Sequence, residues 1–324
     1  MKKIALIYMG GTFGCIGDPL TPMHEDQFIP QLQKVLPAQH TIECFKAPSI
    51  KDSSACTAED WLLLIQQIQN LQQQHYQYFV VLHGTDTLSY AAAVLSQFLQ
   101  NSCSVVITGS QYPLLNTQGE CIRELTDALN NLNTALEHVL KVPLGVHLAF
   151  YDQVFHASTA LKFHSTELDA FRGQRSDQKL AVDYTTATSI QNAHIERAKS
   201  LNVINMMMLP IEQQQLYKNL QALQSNSPDF LILQAYGVGN LSVNHQIINS
   251  LKILQQQHCV VILATQVPFG GLDQRYAISQ WIKEAQIIIS DAQSQADLYA
   301  KILKIYLQYP SSEQWYSHWY EHPE

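Results

Sequence analysis

Six short apolar segments, rich in valine, isoleucine and leucine, alternate along the chain with longer amphipathic stretches. The strand candidates are residues 4–8, 78–82, 104–108, 145–150, 230–236 and 259–265, and the helix candidates include 58–74, 88–100, 122–137 and 244–257. Strands that are apolar on both faces and are separated by helices are typical of a parallel sheet covered on both sides. The sequence therefore predicts an α/β fold with a mostly parallel sheet flanked by helices.

The alternation weakens in a polar stretch near residues 180–200 and then resumes. A chain of 324 residues is long enough for two domains of about 100–200 residues each. We expect a larger N-terminal domain over 1–182, a linker over 183–200 and a smaller C-terminal α/β domain over 201–324.

Composition excludes several classes of partner. The formal net charge of −8 argues against nucleic acid or an anionic membrane as the main partner, because both favour basic surfaces. No uncharged apolar run approaches the roughly 18 residues of a membrane span. The N-terminal apolar run is shorter than the core of a signal peptide, so a cytoplasmic location is predicted.

The sequence gives no indication of a bound cofactor or metal. The six cysteines are scattered without a C-x-x-C pair, which favours reduced thiols. No His-rich or carboxylate-rich cluster has metal-ligand spacing, and no glycine-rich phosphate loop is present. Neither a metal nor a cofactor is therefore expected.

Unusual polar residues follow two of the predicted strands. Gly10-Gly11-Thr12 comes after the first strand, and His83-Gly84-Thr85-Asp86-Thr87 comes after the second. Ligands bind beyond the carboxyl ends of the strands in open parallel sheets. A Gly-Gly-Thr alone is ordinary turn sequence, and Thr85 or Asp86 alone would be an ordinary helix cap. Capping explains one such residue but not three in a row.

These two segments resemble the signatures of the bacterial-type L-asparaginases, with the cytoplasmic type I branch most similar. The family reads T-G-G-T-I-x and H-G-T-D-T-[LIVM] where this chain has Met9 to Gly14 and His83 to Leu88. Further similar segments follow the family's order: KDSSACTAEDW (51–61), ITGSQYPL (107–114), STALKFHSTELDAF (158–171) and AYGVGN (235–240). The resemblance runs from the N-terminus past residue 270.

The resemblance implies amide hydrolysis by a threonine nucleophile. Thr12 would attack the side-chain amide carbon, releasing ammonia and leaving an acyl-enzyme. Thr85, Asp86 and Lys162 would form a second, supporting catalytic group, and Asp86 would instead or also hold the substrate's α-ammonium group. No histidine or metal is required; His83 is expected to be structural and His164 to lie outside the reacting groups.

The resemblance also implies how substrate is bound. Ser53 and Ser54 would bind the α-carboxylate, Asp52 would orient their loop, and amides near Gly11 and Gly84 would form the oxyanion hole. Asn240 matches the position through which a neighbouring subunit completes the site. A homodimer, often paired into a homotetramer, is therefore implied.

Three departures from the family pattern matter. Leu20 stands where the family has a tyrosine that hydrogen-bonds the nucleophile, so Thr21 or a partner-subunit tyrosine must replace it, or turnover must be slow. Segment 114–125 lacks the family's R-S-D-x-x-x-N pattern, which predicts different support behind the site. Gln234 and Val267 replace the Arg and Cys of the type I allosteric site, so no allosteric asparagine binding is expected there.

The leading hypothesis is an asparaginase that hydrolyses L-asparagine and acts poorly on glutamine. One alternative keeps the chemistry and changes the substrate to glutamine, a D-amide, or the substrate of a tRNA-amidotransferase glutaminase component. A second alternative is a catalytically impaired homologue that binds an amino acid or a partner.

Overall fold

In the computed structural model, which describes residues 2–180, 186–273 and 280–320, strands and helices alternate along the chain. The strands are β1 (Lys3–Tyr8), β2 (Cys15–Ile16), β3 (Thr21–Pro22), β4 (Thr41–Lys46), β5 (Tyr78–Leu82), β6 (Ser104–Thr108), β7 (Gly145–Phe150), β8 (Gln153–His156), β9 (Leu161–Lys162), β10 (Phe171–Arg172), β11 (Val203–Met207), β12 (Phe230–Ala235), β13 (Val260–Thr265) and β14 (Ile288–Ile289). The helices are α1 (Glu25–Lys34), α2 (Ala58–Gln73), α3 (Leu88–Leu99), α4 (Ala128–His138), α5 (Asn192–Ala198), α6 (Gln213–Leu223), α7 (His245–Gln256), α8 (Gln280–Glu284), α9 (Gln295–Gln308) and α10 (Ser312–Ser317). The chain divides after Lys199 into two compact units.

The first unit is built on a six-stranded sheet of order β4-β1-β5-β6-β7-β8. Every neighbouring pair is parallel except β7 and β8, which are antiparallel. The predicted α/β class with a mostly parallel sheet is therefore confirmed.

Helices cover the sheet of the first unit on both faces. On one face, α1 and α4 pack against the alternate side chains Ile4, Leu6 and Tyr8 of β1 and their neighbours on β5 and β6. On the other face, α3 is buried along almost its whole length. The continuous apolar strands follow from this two-sided burial, because neither face of β1, β5 or β6 meets water.

The second unit contains a four-stranded parallel sheet of order β11-β12-β13-β14. Residues from α6, α7 and α8 pack with β12 and β13 in its core. Among the helices that the structure describes, none has the length and apolar character needed to cross a membrane.

The structure differs from the sequence predictions at two places. The helix predicted over 122–137 begins only at Ala128, because Thr126 accepts the Ala128 amide N–H and donates its hydroxyl to the Pro113 carbonyl. Within the predicted linker, residues 183–185 lie outside the described residues, and 192–198 form α5. This short helix packs on α2. The Gln66 side-chain amide donates a hydrogen bond to Asn192, and the Ile190 amide N–H donates one to the Gln69 side chain.

Candidate active site

The site begins where two adjacent strands end. β1 and β5 are parallel neighbours with Tyr8 opposite Leu82, so the residues that follow each strand emerge at the same edge of the sheet. After β1 the backbone turns through Gly10 and Gly11, which have φ values of 95° and 83°. These left-handed conformations suit glycine because it lacks a Cβ atom. Thr12 then opens a short 3₁₀ turn that ends at Gly14.

The two strand-end turns are in direct contact. A Cβ atom at Gly11 would lie 2.5 Å from the Gly84 amide nitrogen and closer still to its Cα. Only a pair of glycines permits this approach. The contact brings the turn that presents Thr12 against the turn that presents Thr85.

Lys162 joins the second turn from a distant part of the chain. Its Nζ donates to the Thr85 hydroxyl at 2.9 Å and lies 3.3 Å from an Asp86 carboxylate oxygen. The Lys162 backbone N–H donates to the Ser89 hydroxyl at 3.1 Å, which fixes β9 against the start of α3. Thr85 is buried, whereas 61% of the Asp86 side chain is exposed. Asp86 therefore faces a space that a charged ligand can enter.

The 52–54 loop packs against the same turns. A Cβ atom at Gly84 would lie 2.5 Å from the Ser53 hydroxyl oxygen, which also accepts the Asp86 amide N–H at 3.3 Å. The Thr87 hydroxyl donates to the Ser53 carbonyl at 2.7 Å. Ser53 is thus buried at the junction of the loop and the second turn.

Asp52 holds the shape of this loop. Its carboxylate accepts the Ser54 amide N–H at 2.8 Å and the Ser54 hydroxyl at 2.5 Å. These hydrogen bonds stabilise the ionised form and lower the pKa of Asp52. The Ser54 hydroxyl is already used as a donor within the loop.

His83 is buried and uncharged. Trp61 donates its indole N–H to His83 Nε2 at 3.2 Å, so Nδ1 carries the proton and donates to the Gly84 carbonyl at 2.8 Å. Burial lowers the pKa of His83 to about 4. Through this hydrogen bond the His83 ring fixes the orientation of the Gly84 carbonyl. His164, in contrast, is exposed, and its Nδ1 accepts the Glu167 amide N–H at 3.2 Å.

The loop after Thr12 contains no tyrosine, and neither Leu20 nor Thr21 hydrogen-bonds the Thr12 hydroxyl. Leu20 is 49% exposed in the turn between β2 and β3, and Thr21 donates its hydroxyl to the Ile16 carbonyl at 3.3 Å. Tyr8 lies beneath the turn with its hydroxyl against Gly14, and burial raises its pKa. Within the described residues, the Thr12 hydroxyl makes no hydrogen bond.

Sequence reasoning missed a buried pair behind the site. The Asp127 carboxylate accepts the Gln111 and Tyr112 amide N–H groups, both at 2.9 Å, and the Asn131 amide at 3.0 Å. The Asn131 amide also donates to the Gly109 carbonyl at 3.0 Å. This pair fixes the end of β6, where Gly109 packs under His83 and Thr85.

The missed pair supplies support behind the site from residues just beyond segment 114–125. The Asp-x-x-x-Asn spacing that segment 114–125 lacks is present immediately after it, at Asp127 and Asn131. The sequence therefore contained a sign of this pair: the same Asp-x-x-x-Asn spacing, placed a few residues after the segment in which it was sought.

Three other predicted residues belong to the second unit. Asn240 closes the turn after β12 through backbone hydrogen bonds with Tyr236 at 2.9 and 3.0 Å. Gln234 is buried in β12, and Val267 is exposed after β13. The predicted residues that the structure brings together are those of the first unit: Gly11, Thr12, Asp52, Ser53, Ser54, Gly84, Thr85, Asp86 and Lys162.

The chain is similar to known proteins over most of its length. The family model described as "Asparaginase, N-terminal" matches residues 3–196. L-asparaginase 1 of Escherichia coli K12 is 28% identical over 315 residues, which cover 89% of this chain and 86% of that protein. L-asparaginase of Thermococcus kodakarensis is 26% identical over 248 residues, covering 73% of this chain and 71% of that protein.

The fold is shared with a solved structure. The thermostable L-asparaginase from Thermococcus kodakarensis superposes with a TM-score of 0.80 at 22% identity, covering 98% of this chain and 96% of that one. Because the family model spans more than half of the residues, the chain belongs to the asparaginase family.

Proposed function

We propose that this protein hydrolyses L-asparagine to L-aspartate and ammonia. Membership of the asparaginase family and the similarity to proteins named L-asparaginase support the activity. One observation carries the assignment of residues. The Gly11–Gly84 contact packs the turn of Thr12 against the turn of Thr85, whose hydroxyl accepts from Lys162 Nζ.

In the proposed reaction, the Thr12 hydroxyl oxygen attacks the carboxamide carbon. Amide N–H groups near Gly11 and Gly84 would stabilise the oxyanion, because fixed donors in a strand-end turn need no reorganisation during the reaction. Collapse transfers a proton to the leaving nitrogen, releases ammonia and leaves an ester on Thr12. Water then attacks the ester, giving aspartate and regenerating the hydroxyl.

Thr85, Asp86 and Lys162 would support both the formation and the hydrolysis of the Thr12 ester. Lys162 and Thr85 are hydrogen-bonded at 2.9 Å and form a path for moving a proton near the reacting atoms. Asp86 supplies the carboxylate of the group, and because 61% of its side chain is exposed it is the candidate to hold the substrate's α-ammonium ion.

The 52–54 loop would bind the α-carboxylate. Ser53 lies at the junction with Gly84, and Asp52 uses its carboxylate to hold the Ser54 hydroxyl and amide. This supports Asp52 as the residue that orients the loop, and the Ser53 hydroxyl as the closer of the two serine hydroxyls to the second turn.

Activation of Thr12 differs from the family pattern. Thr21 uses its hydroxyl proton in the bond to Ile16, so only its oxygen is free to polarise Thr12. A tyrosine from a partner subunit is the remaining candidate, and without either one turnover would be slow. Loss of acid–base assistance costs about 10²–10⁴-fold in rate.

We also propose a homodimer, which can pair into a homotetramer, with Asn240 of the partner subunit completing the site. Exposed apolar side chains surround the carboxyl ends of β11, β12 and β13 and are called here the apolar rim: Met207, Leu209, Ile211, Val238, Val267 and Phe269. Loops of the rim are joined by the hydrogen bond from Thr265 to the Gly237 carbonyl. Exposed apolar side chains grouped at one edge of a sheet support an interaction site there.

Two sequence expectations remain part of the proposal. The protein is expected to be cytoplasmic. It is also expected to bind one asparagine per subunit, because Gln234 and Val267 replace the allosteric Arg and Cys; two bound asparagines per subunit in equilibrium dialysis would refute this.

The test is ammonia release from L-asparagine by the purified protein and by Thr12→Ala and Thr12→Ser variants. The wild type and Thr12→Ser should release ammonia, and Thr12→Ala should not. Faster release from glutamine would favour the substrate alternative. Asparagine binding without any ammonia release would favour the impaired homologue and overturn the proposal.

A further inference from the structure

A hairpin of the first unit packs against the loop that follows Thr12. This loop, called here the active-site loop, comprises residues 13–23 and contains β2 and β3. The hairpin comprises residues 114–123, and its two sides are joined by an antiparallel bridge between Leu115 and Ile122. The two segments are distant in sequence, so their contact is a feature of the folded chain.

The base of the hairpin is fixed in place. The Tyr112 amide N–H donates to the Asp127 carboxylate at 2.9 Å, which holds the chain before the hairpin next to the chain after it. Leu114 is fully buried, in the same apolar core as Phe13 of the active-site loop. The hairpin is therefore anchored to the core and does not project as a free surface loop.

Two backbone hydrogen bonds join the hairpin to the active-site loop. The Leu114 amide N–H donates to the Phe13 carbonyl at 3.0 Å, and the Gly17 amide N–H donates to the Thr117 carbonyl at 3.1 Å. The first bond is made to the residue next to Thr12. Because the bonds are made at two separate points of the loop, they restrain its orientation as well as its position.

The tip of the hairpin lies over the apolar side chains of the loop. A Cβ atom at Gly119 would lie 3.5 Å from Ile16 Cγ2 and 3.5 Å from Met23 Cε. Ile16 belongs to β2 and Met23 follows β3, so the Gly119 backbone lies against both sides of the loop. A long side chain at position 119 would push the loop away from the hairpin.

The restraint acts on the base of the loop rather than on its tip. The Met23 amide N–H donates to the Gly14 carbonyl at 3.0 Å, which joins the two ends of the loop to each other. Leu20, in the turn at the tip, is 49% exposed. The hairpin therefore fixes the part of the loop that lies next to Thr12.

We propose that the hairpin is a positioning element for the reaction of Thr12, and that it holds the active-site loop in its catalytic conformation before asparagine binds. This inference rests on the proposed function. Many enzymes close a loop over the site only when substrate binds, and part of the binding energy is used to order that loop. Here hydrogen bonds within the protein order the base of the loop in advance.

Asn116 is the side chain that maintains the shape of the hairpin tip. Its Oδ1 accepts the Glu120 amide N–H at 3.0 Å, and its Nδ2 donates to Cys121 Sγ at 3.1 Å. Within the described residues, the Asn116 side chain makes hydrogen bonds to hairpin residues alone. Asn116→Ala therefore loosens the tip without changing an atom of the active-site loop.

The test compares the kinetics of ammonia release by two hairpin variants, Asn116→Ala and Gly119→Leu, each checked for cooperative unfolding. Each should raise KM for asparagine about tenfold and change kcat less than about threefold, because substrate binds the ordered loop and restores it at saturation. Asn116→Asp, which keeps the acceptor, should retain the wild-type KM. Gln118→Ala, at an exposed position of the same hairpin, is the matched control and should also retain it.

Hydrogen exchange without asparagine measures the order of the loop independently of activity. Peptides covering residues 13–23 should exchange about tenfold faster in Asn116→Ala and Gly119→Leu than in the wild type, because exchange reports local opening. Gln118→Ala should exchange at the wild-type rate.

Wild-type KM and wild-type exchange in both hairpin variants would overturn the positioning role alone. A lower kcat with an unchanged KM would also overturn it, because that result indicates a smaller fraction of folded enzyme. No ammonia release by the wild type would instead overturn the proposed function, and the positioning role with it.

Discussion

Gly11 is the residue with the tightest steric demand in the proposed site. Its φ of 83° is in the region that glycine favours, and a Cβ atom there would collide with the backbone of Gly84. Because Gly11 has no side chain, the turn that carries Thr12 can lie directly against the Gly84 backbone. Any substitution at Gly11 must separate the two turns or distort one of them.

Gly11→Ala should reduce kcat at least 10²-fold, because a displacement of about 1 Å between reacting groups has an effect of this size. The matched control is Gly271→Ala. No atom of the described residues lies within 4 Å of a Cβ atom added there, and this variant should keep full activity. Steady-state ammonia release measures both variants. An active Gly11→Ala enzyme would contradict the proposed convergence.

Buried histidines should make the protein sensitive to acid. The folded-state pKa is lowered to about 4 for His83 and about 3 for His147, from an ordinary value of 6.5. As pH falls below about 6.5, these two histidines take up protons in the unfolded chain before they do so in the folded protein. The free energy of unfolding is therefore highest above about pH 6.5 and decreases as pH falls towards 4.

His147→Phe should therefore reduce the pH dependence of stability. Each histidine that is neutral when folded and protonated when unfolded contributes about 1.4 kcal/mol per pH unit to the slope. Urea unfolding at several values between pH 4 and pH 6 gives this slope. Equal slopes for wild type and His147→Phe would show that the ring is protonated in the folded state.

At the scale of elements, hydrogen bonds at the start of α4 explain why this helix begins six residues later than predicted. Apolar periodicity continues from residue 122, but Thr126 and Asp127 bond the backbone of residues 111–113 instead of continuing a helix. These partners are distant in sequence, so periodicity alone gives no sign of them. The strands at 78–82, 104–108 and 145–150 were predicted with their observed bounds, because two-sided burial produces a continuous apolar run.

Asp127→Ala should lower the free energy of unfolding by about 1–3 kcal/mol, because it removes the acceptor of the buried Asn131 amide and of the part-buried Gln111 and Tyr112 N–H groups. The exposed neighbour Glu124 provides the control, and Glu124→Ala should change stability by less than about 0.5 kcal/mol. Urea denaturation compares the two. Similar stability for both variants would show that the Asp127 network does not support the strand end.

At the scale of the whole molecule, the sequence predicts the residues of the candidate site better than the surface through which subunits would associate. The motifs at Thr12, Thr85 and Lys162 were recognisable because each keeps its residue types in order, and the structure places Lys162 Nζ 2.9 Å from the Thr85 hydroxyl. Exposed apolar residues on a surface have no such pattern along the chain. The apolar rim becomes visible only when three strand ends are brought to one edge of a sheet.

The proposed assembly predicts that charge on the apolar rim lowers both oligomer mass and activity. Leu209, 62% exposed, is the most accessible member of the rim, and Leu209→Asp should shift a dimer or tetramer towards monomer. Ile253→Asp, on the exposed surface of α7, is the control that should leave both properties unchanged. Light scattering and ammonia release are measured on the same samples, and a fully active monomer would refute a site completed by a partner.

The identity of the nucleophile is tested most directly by trapping the acyl-enzyme. Enzyme mixed with L-asparagine is quenched in acid within the first turnover, digested and mapped by mass spectrometry. The proposed chemistry predicts an aspartyl ester on the peptide containing Thr12, and no ester in Thr12→Ala. An ester on Thr85 instead, or turnover without any ester at Thr12, would contradict it.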